Sequence, residues 1–265
     1  MDTFTMNPSE VGADQPWSAV DRRIAAAEAR LQPDLLRELV GELQAEDTGS
    51  FWARYYRALA RFRLAGMPGL ERDAAKRLLE QALADLDRAA EHPRAEGERL
   101  ILRSCVAGQL VGHTTMLRAR PGWIAEQALR QAERLCPRQP RLWLARAAAA
   151  LSMARPGGSD AAQAVQELQA AAHALPGWAQ PAAAAAHPSW GRSDALMLLA
   201  QHHHRQGDLR QAALVYRLAL DDNPALCAAQ RGWAAVAGTA NTLGGTSGAA
   251  SIGPAGHPRP QDPRA

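Results

Sequence analysis

The sequence predicts an all-α fold in which helical hairpins stack into an α-α solenoid, followed by a disordered C-terminal tail. The helices are predicted because apolar residues recur at intervals of three and four, and Gly or Pro interrupts the pattern between segments. The stacking is predicted because one spacing of Ala, an apolar residue, Ala and Pro occurs three times in the second half. With 47% hydrophobic and 22% charged residues, the 265-residue chain has the composition of an ordinary globular protein.

The N-terminal part is predicted to be helical behind a flexible arm. Residues 1–16 show no periodicity, so we expect the arm there. Within residues 17–96, the first helix is expected to begin near Ser18, a residue type that caps helices, and to end at Pro33. A second apolar stripe follows, and then an aromatic helix from Ser50. A degenerate copy of the repeat spacing ends this region.

Residues 97–237 contain the regular units and a capping helix. In each unit, Ala, an apolar residue and Ala lie at i, i+4 and i+7, on one face of a helix, and a Pro follows five residues later. Small residues at these positions allow two helices to approach closely. The units are Ala125, Leu129, Ala132 and Pro137; Ala164, Leu168, Ala171 and Pro176; and Ala212, Tyr216, Ala219 and Pro224.

Two segments depart from the regular pattern. An insertion at 177–190 separates the second unit from the third, and the aromatic residues Trp178 and Trp190 bracket it. We expect these side chains either to pin the insertion to the helices or to offer anchors to a partner. The capping helix is expected to end at Gly238. Residues 238–265 are rich in Gly, Ala, Ser, Thr and Pro, so a disordered tail is predicted there.

The third unit resembles the tetratricopeptide repeat, or TPR. Ala212, Tyr216 and Pro224 match the closing half of its pattern, and the preceding helix has Leu199 and Ala200 at its Leu and Gly positions. Trp143 matches the Trp that starts the repeat before it. The resemblance implies a right-handed solenoid with a concave groove for a peptide. Shorter stretches, among them residues 156–158 and 188–191, also resemble features of uncharacterised bacterial TPR proteins.

The resemblance also implies which residues line the groove, because TPR proteins use exposed positions on the first helix of each hairpin. The corresponding residues here are Arg141, Leu144, Ala148, Met197, Gln201, His204 and Arg205. The basic and amide set with which some TPR proteins hold a chaperone C-terminus is not matched. We therefore expect a protein-interaction scaffold or adaptor whose partner, a protein or peptide, has a more apolar binding segment.

Composition limits the other function classes. A formal net charge of +3 is too small to predict a nucleic-acid-binding surface. The three cysteines are an odd number and widely spaced, which favours a reducing compartment, and the N-terminus does not resemble a secretory signal, so a cytoplasmic location is expected. The uncharged stretch at residues 104–117 is shorter than the about 20 residues of a membrane span, so a buried helix is expected there.

The sequence leaves two alternatives to the scaffold open. The first is a metal-binding regulator or enzyme that uses residues 202–204, although only His204 and Asp208 have the i, i+4 spacing of two ligands on one helix face. The second is a structural subunit that self-associates as a homo-oligomer through exposed repeat faces. No phosphate-binding loop, GxSxG, HExxH or paired CxxC motif is present, so the sequence predicts neither catalysis nor a cofactor.

Overall fold

The computed structural model consists of α-helices, and no strand occurs among the residues that it describes. The prediction of an all-α fold is confirmed. The predictions of an arm, an ordered or disordered insertion and a tail fall largely on residues 1–14, 178–187 and 245–265, which lie outside the described residues. The described residues are 15–45, 50–89, 92, 95–114, 119–153, 159–177 and 188–244.

The helices are numbered here in chain order. Those of the N-terminal half are α1 (Gln15–Ala29), α2 (Pro33–Ala45), α3 (Phe51–Ala65), α4 (Arg72–Arg88), α5 (Glu96–His113) and α6 (Ala119–Leu135). Those of the C-terminal half are α7 (Pro140–Met153), α8 (Ser159–Ala174), α9 (Arg192–Arg205), α10 (Leu209–Asp222) and α11 (Cys227–Gly244). None of these described helices is both long and apolar enough to cross a membrane.

Consecutive helices pack together as hairpins. The pairs α3 and α4, α5 and α6, α7 and α8, and α9 and α10 have extensive contacts, and α11 packs against α10. Each odd-numbered helix also contacts the next odd-numbered helix, from α1 through to α11. The odd-numbered helices therefore form one continuous layer, which we call the odd-helix layer.

Most of the predicted repeat positions are buried. Ala132, Leu168, Ala171, Ala212 and Ala219 have no exposed surface, and Ala164, Leu199, Ala200 and Tyr216 are also buried. The first unit packs less closely. Its Ala125 and Leu129 are only half-buried, and a cleft of about 360 Å³ opens beside Leu129 between α6, α7 and α8. The unit-closing prolines Pro137, Pro176 and Pro224 are exposed.

The half-buried Trp143 at the start of α7 links two hairpins. Its indole N–H donates a hydrogen bond to the carbonyl oxygen of Pro137, 3.3 Å away, which lies just beyond the end of α6. The side chain therefore satisfies a backbone acceptor at the connection between two helices.

Two predicted helix boundaries are wrong. Helix α1 begins at Gln15 rather than near Ser18, because Pro16 is well tolerated in a first turn, where its missing N–H has no intrahelical partner. Helix α11 continues through Gly238 to Gly244. A single interior Gly costs a helix only about 1 kcal/mol relative to Ala, and no proline follows before Pro254.

A glycine allows α10 and α11 to pack closely. A Cβ atom at Gly232 would overlap the ring of Tyr216. The Tyr216 ring, buried at 3% exposure, therefore fills the space that a side chain at position 232 would need. This is the contact by which the last helix covers the third repeat unit.

Candidate functional site

The segment 188–194, which we call the strap, crosses the odd-helix layer between distant parts of the chain. It runs from the end of the insertion into the first turn of α9. Pro188 and Trp190 are buried, and hydrogen bonds from the strap reach α1, α3 and α7. The strap therefore connects the first hairpin with the last one. Contacts between helices that follow each other in the chain would not make this connection.

The strap begins with a contact to a buried carboxylate on α1. The backbone N–H and the hydroxyl of Ser189 both donate hydrogen bonds of 2.6 Å to Oδ2 of Asp21. Asp21 is only 2% exposed. A buried carboxylate requires such donors because burial removes its hydration.

Trp190 lies at the centre of the strap and uses both its ring and its indole N–H. Nε1 donates a 2.9 Å hydrogen bond to the hydroxyl of Tyr55, which is fully buried on α3. The guanidinium carbons of Arg63 and Arg141 lie 5.5 and 5.7 Å from the Trp190 ring, within cation–π range. Burial raises the pKa of Tyr55 well above its usual value, so this hydroxyl stays protonated.

The end of the strap forms a bidentate ion pair with α3. The two terminal nitrogens of Arg63 each lie 2.6 Å from an oxygen of Asp194. One of them also lies 3.0 Å from Oε1 of Glu28 on α1. Burial acts to lower the pKa of Arg63, but the carboxylates of Asp194 and Glu28 outweigh this effect and raise it.

Two other groups beside Arg63 have raised pKa values. Burial raises the pKa of Glu28 to about 7, against the lowering effect of Arg63 and with the help of Asp194. Burial likewise raises the pKa of the Cys105 thiol to about 12, so this cysteine is not a reactive thiolate.

Arg141 and Leu144 were predicted to line an exposed groove, and that prediction is wrong. They are 4% and 3% exposed. Arg141 pairs with Glu98 through bonds of 2.9 and 2.8 Å and donates to the carbonyl oxygen of Trp190 at 3.2 Å. A Cβ at Gly191 would lie 3.3 Å from Cγ of Arg141 and 3.4 Å from Cδ2 of Leu144, so the strap covers both residues.

The other predicted groove residues lie on more open surface. Gln201, His204 and Arg205 on α9 are exposed, whereas Met197 on α9 and Ala148 on α7 are half-buried. Spacings of four, seven and eight residues place Gln201, His204 and Arg205 near the helix face of Met197. Asp194, three residues before Met197, begins the same face and already binds Arg63. We call Met197, Gln201, His204 and Arg205 the α9 face.

The histidine run does not assemble a set of metal ligands. Within the described parts of the chain, no group of three or more His, Cys, Asp or Glu residues is placed to hold a metal ion. Nδ1 of His203, rather than His204, lies near Oδ2 of Asp208, at 3.8 Å. Asp208 also caps α10 by accepting a hydrogen bond from the N–H of Gln211. Burial, with His203 and Arg205 nearby, lowers the pKa of His202.

Sequence reasoning did not identify the charged groups that hold the strap. Asp21, Glu28 and Arg63 lie within or beside apolar stripes of their helices, and that position is the signal that could have indicated burial. Asp21 and Arg63 have their partners Ser189 and Asp194 more than a hundred residues away along the chain, whereas Glu28 pairs with Arg63. Trp190 is pinned against the helices, whereas Trp178 lies outside the described residues.

Comparisons of the chain with protein-family models, with curated proteins and with solved structures find no match.

Proposed function

We propose that this protein is a scaffold or adaptor of the TPR type, a right-handed helical-hairpin solenoid that binds a protein or peptide partner. The continuous odd-helix layer supports the proposal most directly, because stacked first helices are the surface with which hairpin repeats bind extended or helical peptides. The three free cysteines support a cytoplasmic setting. The proposal includes no catalytic step and no cofactor.

The α9 face is the part of the odd-helix layer that we assign to the partner. The strap already covers Arg141 and Leu144. On the α9 face, Met197 offers an apolar contact, and Gln201 and Arg205 offer hydrogen-bond donors. This combination suits a peptide that presents an apolar side chain followed by carbonyl or carboxylate acceptors.

Site-specific photo-crosslinking in the native host tests the proposal. A photoreactive amino acid at Gln201 is compared with one at Glu38, which is exposed on α2. We expect a discrete adduct from position 201 alone. We expect Met197→Asp to remove this adduct at a temperature at which the circular dichroism spectrum of the variant still equals that of the natural chain.

Two results would contradict the proposal. One is the same set of adducts from positions 201 and 38, which would indicate non-specific collision. The other is a discrete adduct at position 201 that persists in full after Met197→Asp, because the assigned surface would then not be the one that binds.

A further inference from the structure

The outer face of α10 is apolar and exposed. Ala212, Val215, Tyr216 and Ala219 turn the opposite face of this helix into the core, against α9 and α11. On the outer face, Leu214 and Leu218 are 54% and 55% exposed, and their i, i+4 spacing makes them neighbours. Few large apolar side chains among the described residues are as exposed as these two.

Charges of opposite sign stand at the two ends of this face. Arg210 lies in the first turn of α10 and Asp221 in the last, and both are exposed. The helical period places them on the same side as Leu214, because residues 210, 217, 218 and 221 each differ from residue 214 by three, four or seven positions. Within the chain, Nε of Arg217 lies 3.2 Å from Oδ1 of Asp221.

The charged and apolar residues of this face are arranged so that the face can match a second copy of itself that runs in the opposite direction. If two α10 helices lie antiparallel about a two-fold axis beside position 216, Leu214 of each copy packs against the partner's Leu218. The same arrangement brings Arg210 of each copy next to the partner's Asp221. Every attractive contact then occurs twice, as an isologous interface requires. The antiparallel helix dipoles add to the attraction.

We propose that α10 is the contact helix of a homodimer, formed by the outer faces of two copies. The charge order selects a second copy over the chain's own C-terminal residues. Residues 245–265 contain Ile252 as their only large aliphatic side chain, so they supply no counterpart for a pair of leucines. The contact lies on a different helix from the α9 face, so a dimer would present two partner sites.

Sedimentation equilibrium of the full chain over about 1 to 200 µM tests the dimer, a range that brackets weak isologous association. We expect a mass that rises from 28.4 kDa toward twice that value with concentration. Leu214→Glu should weaken association by about a hundredfold or more, because each dimer buries this leucine twice. Leu135→Glu is the matched control, since Leu135 is 60% exposed on α6.

A charge-reversal series tests the antiparallel register. Arg210→Glu and Asp221→Arg should each weaken the dimer by about tenfold, and the double variant should recover most of the loss because the pair is restored with opposite polarity. All these positions are exposed, so melting temperatures should change little. The proposal is overturned by a monomer at every concentration, by an equal effect of Leu135→Glu, or by a double variant no tighter than the single ones.

Discussion

The strap region and the last hairpin use different means to hold helices together. Around the strap, buried charges are satisfied by partners far away in the chain, as between Asp21 and Ser189 or Arg63 and Asp194. In α10, the buried face consists of Ala212, Val215, Tyr216 and Ala219. Three of its four charged residues are exposed, and the fourth, Asp222, pairs with Arg192 of the strap.

The difference shows which substitutions each region tolerates. Removing one partner of a buried charge pair leaves the other desolvated, which is costly, whereas an exposed pair contributes little. The strap region should therefore govern stability. The exposed faces of α9 and α10 should tolerate substitution and affect association instead.

The largest expected effect is at the centre of the strap. Trp190→Ala should lower the free energy of unfolding by about 3 to 5 kcal/mol, because it leaves a cavity and removes the hydrogen bond to Tyr55. Trp123→Ala is the control on exposed surface, since Trp123 is 62% exposed, and it should change stability by less than about 0.5 kcal/mol. Urea denaturation followed by circular dichroism measures both. Similar losses of unfolding free energy in the two variants would show that the strap does not govern stability more than the exposed surface does.

The next largest effect is at the turn into α9. Gly191 has φ of 121°, which L side chains rarely adopt, and a Cβ there would lie 3.0 Å from Cδ1 of Leu175. Gly191→Ala should therefore cost about 2 kcal/mol. Gly41→Ala, inside α2 with no neighbour within 4 Å, should instead stabilise by about 0.5 to 1 kcal/mol. The same denaturation curves would contradict this account if both glycines responded with the same sign.

The smallest effect depends on pH. The pKa of Glu28 is raised to about 7 in the folded protein, so the folded state binds this proton more tightly than the unfolded state does. The stability that this proton contributes is present in full at pH values below the pKa that Glu28 has in the unfolded chain. It is lost as the pH rises through about 7.

The measurement is thermal unfolding of Glu28→Gln from pH 4 to 8. The variant should match the natural chain near pH 4 and exceed its stability at pH 8 by on the order of 1 kcal/mol, since this partly exposed side chain is also screened by solvent. Glu38→Gln on exposed α2 serves as the control. A stability difference that does not change with pH would show that Glu28 does not titrate in this way.

Local pattern predicted the helices but not the strap. The spacing at Ala164, Leu168 and Ala171 predicts a buried helix face because the helical period is a property of neighbouring residues. The partners of Arg63 could not be predicted, because Asp194 lies 131 residues away and no periodicity relates the two positions. The burial of Arg141 could not be predicted for the same reason. The repeat pattern places this residue at the surface, but a segment that is not part of the pattern covers it.

A double-mutant cycle between Arg63 and Asp194 tests most directly whether the strap binds the N-terminal helices. The variants are Arg63→Met, Asp194→Asn and the double variant, each measured by urea denaturation. The bidentate pair at 2.6 Å predicts a coupling between the two positions. The losses of unfolding free energy in the two single variants should sum to about 2 kcal/mol or more above the loss in the double variant. Losses that add within about 0.5 kcal/mol would contradict this, because residues that do not touch are independent.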